Sequence, residues 1–302
     1  MTLPSARIIL MYHRVASASD GGDPLQLCVD PGRFQEQVAL IRSLGEIVPL
    51  DAIAGDRRSK GVRFAITFDD GYADNALSAA PVLQSFDAPA TVFVVAGAVG
   101  SGSTFWWDRL AGLLFRDGAP PRVELTAAGR TVVVDARSPA GRERAYWAAW
   151  SRLRLLPSAQ IEESLERLTE TLGGSAPPVA RPLSEAELQT LAESTVEIGA
   201  HTLSHPSLSA IPEEEQRREI LGGRARLEEL LDRPVTMFAY PYGDYDDRAV
   251  RVVREGRFRA ACSVNEGRVS PFSLRWRLPR FAARDWGADE LEQRLRGWLR
   301  AW

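Results

Sequence analysis

The apolar residues of this chain fall into short, nearly unbroken runs separated by stretches of helical periodicity. Ile8 to Tyr12, Phe64 to Phe68, Ala90 to Val95, Val196 to Ala200, Thr236 to Ala239 and Ala260 to Val264 each read as a buried strand. Glu46 to Pro49 reads as a further, weaker one. Between the strands lie helices with recognisable ends. Asp30 followed by Pro31 predicts an N-cap with proline in the first turn of a helix running through Ile41. Ala73 to Phe86, a segment capped by Ser184 and beginning at Glu185, Pro212 to Leu231, and Asp289 to Leu299 are also predicted helical. Charged i, i+4 positions along Pro212 to Leu231 predict a solvated outer face. Strands apolar on both faces, alternating with helices, predict a parallel α/β architecture.

The alternation breaks between residues 101 and 182. Trp106, Trp107, Trp147 and Trp150 fall here with helical spacing. One hairpin-like pair, Val123 to Leu125 and Thr131 to Val134, surrounds Gly129, and Pro177 and Pro178 close the region. We read it as a mostly helical insertion or cap within a single domain spanning residues 1–302.

Composition narrows the class. A chain of 302 residues, 45% hydrophobic and 25% charged, has the make-up of a soluble globular protein with a sizeable core. A net charge of −3 gives no nucleic-acid footprint. Lys60 is the only lysine, against abundant arginine, which reads as base-composition bias rather than a phosphate-binding surface. Cys28 and Cys262 are too few and too far apart for a disulfide framework or a zinc ligand set. The run after Met1 to Arg7 is too short for a signal-peptide core, and nothing approaches the roughly 20 apolar residues of a membrane span. The expectation is a cytoplasmic protein without a membrane span; the oligomeric state is not readable.

The chemistry is concentrated where the Phe64 to Phe68 strand ends, on Asp69, Asp70 and Gly71. Two adjacent carboxylates at a strand end repel each other unless a cation or a shared proton relieves them. A turn or helix cap in front of Ala73 would use only one. The chain contains three histidines, His13, His201 and His205. His201 and His205 lie four apart, a spacing that sets both imidazoles on one side of a helical turn. Two imidazoles and one carboxylate oxygen make the three-ligand set of a catalytic zinc with open positions. Ordinary packing of the two histidines is the alternative.

Three motifs carry a family resemblance. Thr67-Phe68-Asp69-Asp70-Gly71-Tyr72, His201-Thr202-Leu203-Ser204-His205 and Ala239-Tyr240-Pro241-Tyr242-Gly243 resemble the first three motifs of the polysaccharide deacetylases of carbohydrate esterase family 4, the NodB-homology group. The resemblance implies a distorted (β/α)7-type barrel with its site at the carboxyl ends of the strands, removing N-acetyl groups from an amino sugar or glycan. It implies that Asp70, His201 and His205 hold a divalent metal, zinc first, with cobalt, nickel or iron compatible. Asp69 would be the general base, and the backbone N–H of Tyr242, beside Pro241, would help to stabilise the oxyanion. Two positions depart from the pattern: Ala239 replaces the usual arginine of the third motif, and no histidine follows His205. His13 follows the first strand, an arrangement that resembles the circularly permuted poly-N-acetylglucosamine deacetylases. That likeness implies that His13 protonates the leaving amine. Arg280, after a predicted last strand, is the candidate replacement for the arginine. Trp107 is the candidate platform for a sugar ring, with core packing as the alternative. Asp74 reads as a first-turn carboxylate favoured by the helix dipole. Two rival functions remain: a small-molecule amide or imide hydrolase on the same fold, and a carbohydrate-binding protein that has lost catalysis.

Overall fold

Nearly every predicted strand joins one parallel sheet. The computed structural model describes residues 5–18, 23–55, 61–116, 121–127, 130–172 and 180–300. Met1 to Pro4, Lys60, Gly129, Pro177 and Pro178 lie outside the described residues. The chain folds as two compact units, residues 1–17, 27–101 and 183–302 in the first, and residues 18–26 and 102–182 in the second.

The first unit holds strands β1 (Ala6–Tyr12), β2 (Arg14–Val15), β3 (Cys28–Val29), β4 (Glu46–Ile47), β5 (Val62–Phe68) and β6 (Ala90–Val94). The second holds β7 (Arg122–Ala127) and β8 (Arg130–Asp135), an antiparallel hairpin. The first unit resumes with β9 (Val196–Ala200), β10 (Met237–Ala239), β11 (Ala260–Cys262) and β12 (Phe281–Ala282). Its sheet runs β11-β10-β9-β6-β5-β1-β12, and every pairing in it is parallel. On one edge β5 pairs first with β4, at Arg63 and Phe64, and then with β6 from Ile66 onward. The sheet's two ends meet through residues 278–282. Leu278 bridges to Cys262 of β11, and Phe281 and Ala282 pair with Leu10 and Met11 of β1. The curled sheet is therefore an α/β fold of the distorted (β/α)7-barrel type.

Side chains alternate across this sheet, and the alternation builds two cores. Ile9, Ala65, Phe93, Met237, Ala239, Cys262 and Leu278 pack together inside the curl. Ile8, Leu10, Phe64, Ile66, Phe68, Val92 and Val94 face outward into the larger cluster that includes helical residues Phe34, Val38, Leu83, Leu188 and Ile220. Both faces are buried, so the strands read as continuous apolar runs rather than as alternating ones. Phe93 fills the interior because β9 carries Gly199 beside it: a Cβ there would lie 2.5 Å from the ring.

The helices of the first unit are α1 (Pro31–Leu44), α2 (Leu50–Gly55) and α3 (Ala80–Ser85). Asp30 caps α1 by accepting from the Gly32 N–H at 2.9 Å. The helix predicted over Ala73 to Phe86 is present over residues 73–85, with a π-helical turn, Asn75–Ala79, inside it that leads into α3. Pro81 offers no N–H to continue an α register, and Ala80 donates to Asn75, five residues back. In the second unit lie α4 (Trp106–Phe115), α5 (Pro139–Leu153) and α6 (Ser158–Leu172), around the hairpin. The first unit continues with α7 (Glu185–Ala192), α8 (Glu213–Leu231), α9 (Asp247–Glu255) and α10 (Ala288–Arg300). Ser184 and Glu187 form a full capping box at the start of α7. No helix among the described residues is long and apolar enough to cross a membrane. Cys28 and Cys262 are buried free thiols.

Candidate active site

Where β5 ends, the two adjacent carboxylates part. Asp69 donates its N–H to the Tyr12 carbonyl at 3.0 Å and so still belongs to the sheet. Asp70 and Gly71 then take φ of 73° and 78°, which turns the chain sharply. Glycine is required at the second position: a Cβ on Gly71 would come within 3.0 Å of the Val94 side chain. Asp69 aims at one partner and Asp70 at others.

Asp69 faces Arg280. The guanidinium donates from Nη1 to Oδ1 and from Nη2 to Oδ2, both at 2.7 Å, a bidentate pair with Arg280 fully buried. Nε of Arg280 donates to the Ser263 carbonyl at 2.8 Å, Nη1 also reaches Thr67 Oγ1 at 3.2 Å, and the Phe93 ring lies beneath at 5.6 Å. Burial, the largest single influence, would raise the Asp69 pKa, but the charge and hydrogen bonds of Arg280 together with the nearby His201 and His13 outweigh it and hold the carboxyl below its usual range. Asp69 is a carboxylate fixed in its ionised form.

Asp70 faces the histidines, its Oδ1 3.5 Å from His201 Nε2 and 3.3 Å from His205 Nε2. One ligand atom from each of the three residues falls within 4.8 Å of the others. His201 Nδ1 lies 2.8 Å from the Ala239 carbonyl, which can only accept, so Nδ1 carries the proton. In neutral His201 the Nε2 lone pair then points at a carboxylate oxygen. Two acceptors facing each other need a proton or a cation between them. Burial favours the neutral imidazole of His205 by lowering its pKa, and neutral imidazole is the ligating form. Burial opposes ionisation of Asp70, yet the two imidazoles that face it outweigh that and hold the carboxyl well below the carboxylate range. The donor set fits a divalent metal with nitrogen and oxygen ligands.

The histidines do not share a helical turn, as their spacing predicted. His201 to His205 form a loop after β9 with Thr202 at φ 67° and His205 at φ 63°. Thr202 Oγ1 accepts from the His205 N–H at 3.0 Å, and Glu219 on α8 accepts from the N–H groups of Leu203 and Ser204 at 3.0 and 2.8 Å. The loop is pressed between two glycines: a Cβ on Gly97 would lie 2.7 Å from the Leu203 carbonyl, and one on Gly223 would lie 2.5 Å from the Thr202 backbone. The two imidazoles end with centroids 4.9 Å apart. Sequence reading missed Glu219 and Gly223: Glu219 looked like part of a solvated charge run, and the role of Gly223 depends on a close approach to a distant loop.

Tyr242 is also left-handed, with φ 57°, and its ring meets His205 edge-on at 4.5 Å. Pro241, before it, is buried. His13 follows β1, half-buried, next to the residue that hydrogen-bonds Asp69. Burial lowers its pKa; the charges of Asp70 and Asp69 partly offset this. Asp74 stands at the start of the helical segment, as expected. It makes no capping bond and instead accepts from Arg14 Nε at 3.0 Å and the Val15 N–H at 3.1 Å. Trp107 belongs to the second unit, 3% exposed, its ring stacked on Phe105 at 4.7 Å with Trp106 against its edge. The open sugar platform expected of Trp107 is thus corrected to internal packing: in this aromatic cluster Phe105 covers the indole face.

The sequence profile of the family described as polysaccharide deacetylase matches residues 56–261. The chain belongs to the polysaccharide deacetylase family. Among curated relatives it resembles Bacillus subtilis (strain 168) YxkH, named for the same family, at 18% identity over 272 residues, 88% of this chain and 67% of that one. Among solved structures it resembles the Streptococcus pyogenes deacetylase PplD, with TM-score 0.62, 19% identity and coverage of 96% of this chain and 98% of that one. IcaB from Ammonifex degensii superposes with TM-score 0.60 at 18% identity, over 97% of both chains. These structural likenesses establish the shared fold; membership of the polysaccharide deacetylases supports deacetylase activity.

Proposed function

We propose that this polysaccharide deacetylase is a metal-dependent hydrolase that removes N-acetyl groups from an amino sugar or glycan, giving acetate and a free amine. The observation that carries the reading is the buried Asp69–Arg280 pair set beside the Asp70, His201 and His205 cluster. A protein that only bound metal would have no use for a second buried carboxylate held ionised by its own arginine.

Asp70, His201 and His205 would hold the ion, with zinc first among the metals suited to nitrogen and oxygen donors. When bound, the metal supplies Lewis acidity toward water and the amide carbonyl. The residues do the rest. Asp69 takes a proton from the attacking water, and Arg280 keeps that carboxylate ionised and aimed. Arg280 thereby does from the position just before β12 what the missing arginine at Ala239 would do from β10. As water oxygen bonds to the carbonyl carbon, the Tyr242 N–H donates to the developing oxyanion. His13 gives its proton to the amine nitrogen as the C–N bond breaks.

The test is acetate release from N-acetylglucosamine oligomers by wild type and Asp69→Asn. The variant keeps the metal ligands, so its metal content is expected to match wild type while turnover falls roughly a hundredfold or more, the scale of a lost general base. Equal turnover in the two proteins would remove Asp69 from the mechanism. No metal-dependent release from any acetylated sugar would favour the carbohydrate-binding alternative.

A further inference from the structure

The proposed acid, His13, sits between two short runs of strand, where nothing in the sheet ladder fixes it. β1 ends at Tyr12 and β2 begins at Arg14. What fixes this junction is the stretch that also carries both catalytic-motif aspartates. The Asp69 N–H donates to Tyr12, Asn75 Nδ2 donates to the His13 carbonyl at 2.8 Å, and Asp74 accepts from the Arg14 side chain and the Val15 N–H. Residues 12–15 are held at consecutive points by residues 69–75.

Asn75 is central to this grip. Its side chain is 1% exposed, and its NH2 faces two acceptors, the His13 carbonyl and Asp74 Oδ1 at 3.3 Å. The amide cannot flip, because turning its oxygen toward two acceptors would break both contacts. Its own Oδ1 is buried without a hydrogen-bond partner, an arrangement that costs stability wherever it occurs. Asn75 also opens the π-helical turn, a wider register that sets side chains at angles an α-helix does not offer.

We propose that Asn75, backed by Asp74, is a positioning residue that holds His13 at the reacting amine. The proposal rests on the reading of His13 as the acid. It follows that loss of the Asn75 donor harms the step in which the nitrogen leaves and spares, relatively, a reaction whose leaving group needs no proton. An amide needs protonation as its C–N bond breaks; an aryl acetate leaves as a stable phenolate.

The experiment compares deacetylation of N-acetylglucosamine oligomers with hydrolysis of 4-nitrophenyl acetate by the metal-loaded enzyme. The quantity read is the ratio of the two kcat/KM values, which partial unfolding or partial metal loss scales equally. His13→Ala sets the reference, an expected fall in that ratio of roughly a hundredfold. Asn75→Ala is expected to lower the ratio about tenfold or more, in kcat rather than KM, since misplacement of a catalytic group acts on the chemical step. Asn75→Asp, which keeps the volume and loses the donor, is expected to do the same. If His13→Ala lowers the ratio and neither Asn75 variant does, the positioning role is wrong and the acid assignment stands. If His13→Ala itself leaves the ratio unchanged, the acid assignment fails and the proposal falls with it.

Discussion

At the scale of single residues, the site is defined by how two neighbouring carboxylates are kept charged. The sequence already displayed both aspartates, the histidine pair and the unusual position of His13, because each residue type is rare or costly where it stands. Arg280 was legible only as one arginine among many; its contact with Asp69 spans 211 residues and has no local signature. Asn75 and Glu219 left no signal either, since both act through backbone groups of distant loops. The Arg280 contact predicts a stability effect with a definite pH dependence. Arg280→Met leaves Asp69 buried without a partner and is expected to cost about 3–5 kcal/mol near neutrality, read by urea denaturation. In wild type the Asp69 pKa lies below its unfolded value of about 3.9, so the pair's contribution is present above that pH and fades as pH falls toward the folded value. The gap between the two proteins should therefore narrow below about pH 4. A gap independent of pH would show that the ion pair is not its origin.

The secondary elements were largely readable, and their failures share a cause. Strands and long helices followed hydrophobic periodicity, and caps at Asp30 and Ser184 fell as predicted. What periodicity does not encode is backbone hand: Asp70, Thr202, His205 and Tyr242 all adopt positive φ, and all lie in the site. Such conformations cost about 1–3 kcal/mol each and persist only where surrounding contacts enforce them. For the histidine loop those contacts come from α8. Gly223→Ala should show this, because alanine normally improves a helix interior by about 1 kcal/mol. Here the new methyl meets the Thr202 backbone, so the expected result is a lower Tm and weaker zinc binding by titration. Its neighbour provides the control: a Cβ on Gly222 meets nothing within 4 Å, so Gly222→Ala should keep or raise the Tm. The same loss in both would point to the helix rather than to its contact with the loop.

For the whole molecule, the class of fold followed from alternating strands and helices, whereas closure of the sheet did not. Residues 278–282 are short, broken by Pro279, and recognisable as a strand only beside β1 and β11. Metal and fold should be linked through the cluster these strands support. Adding zinc to metal-free protein is expected to raise the Tm with concentration, by about 2.7 kcal/mol of stability at a hundred times Kd. Asp70→Ala should abolish the rise and His13→Ala should keep it; a rise that survives Asp70→Ala would place the ion elsewhere.

The bond between Asp69 and Arg280 also sets an order in time. During synthesis the carboxylate leaves the ribosome 211 residues ahead of the guanidinium, a delay of roughly 10–40 s at about 5–20 residues per second. Until then the aspartate has no cation of its own to accompany it into the interior, and β1 has no β12 to pair with. The nascent chain must therefore wait, with its acidic end wet and its barrel open, until almost the last helix has been made.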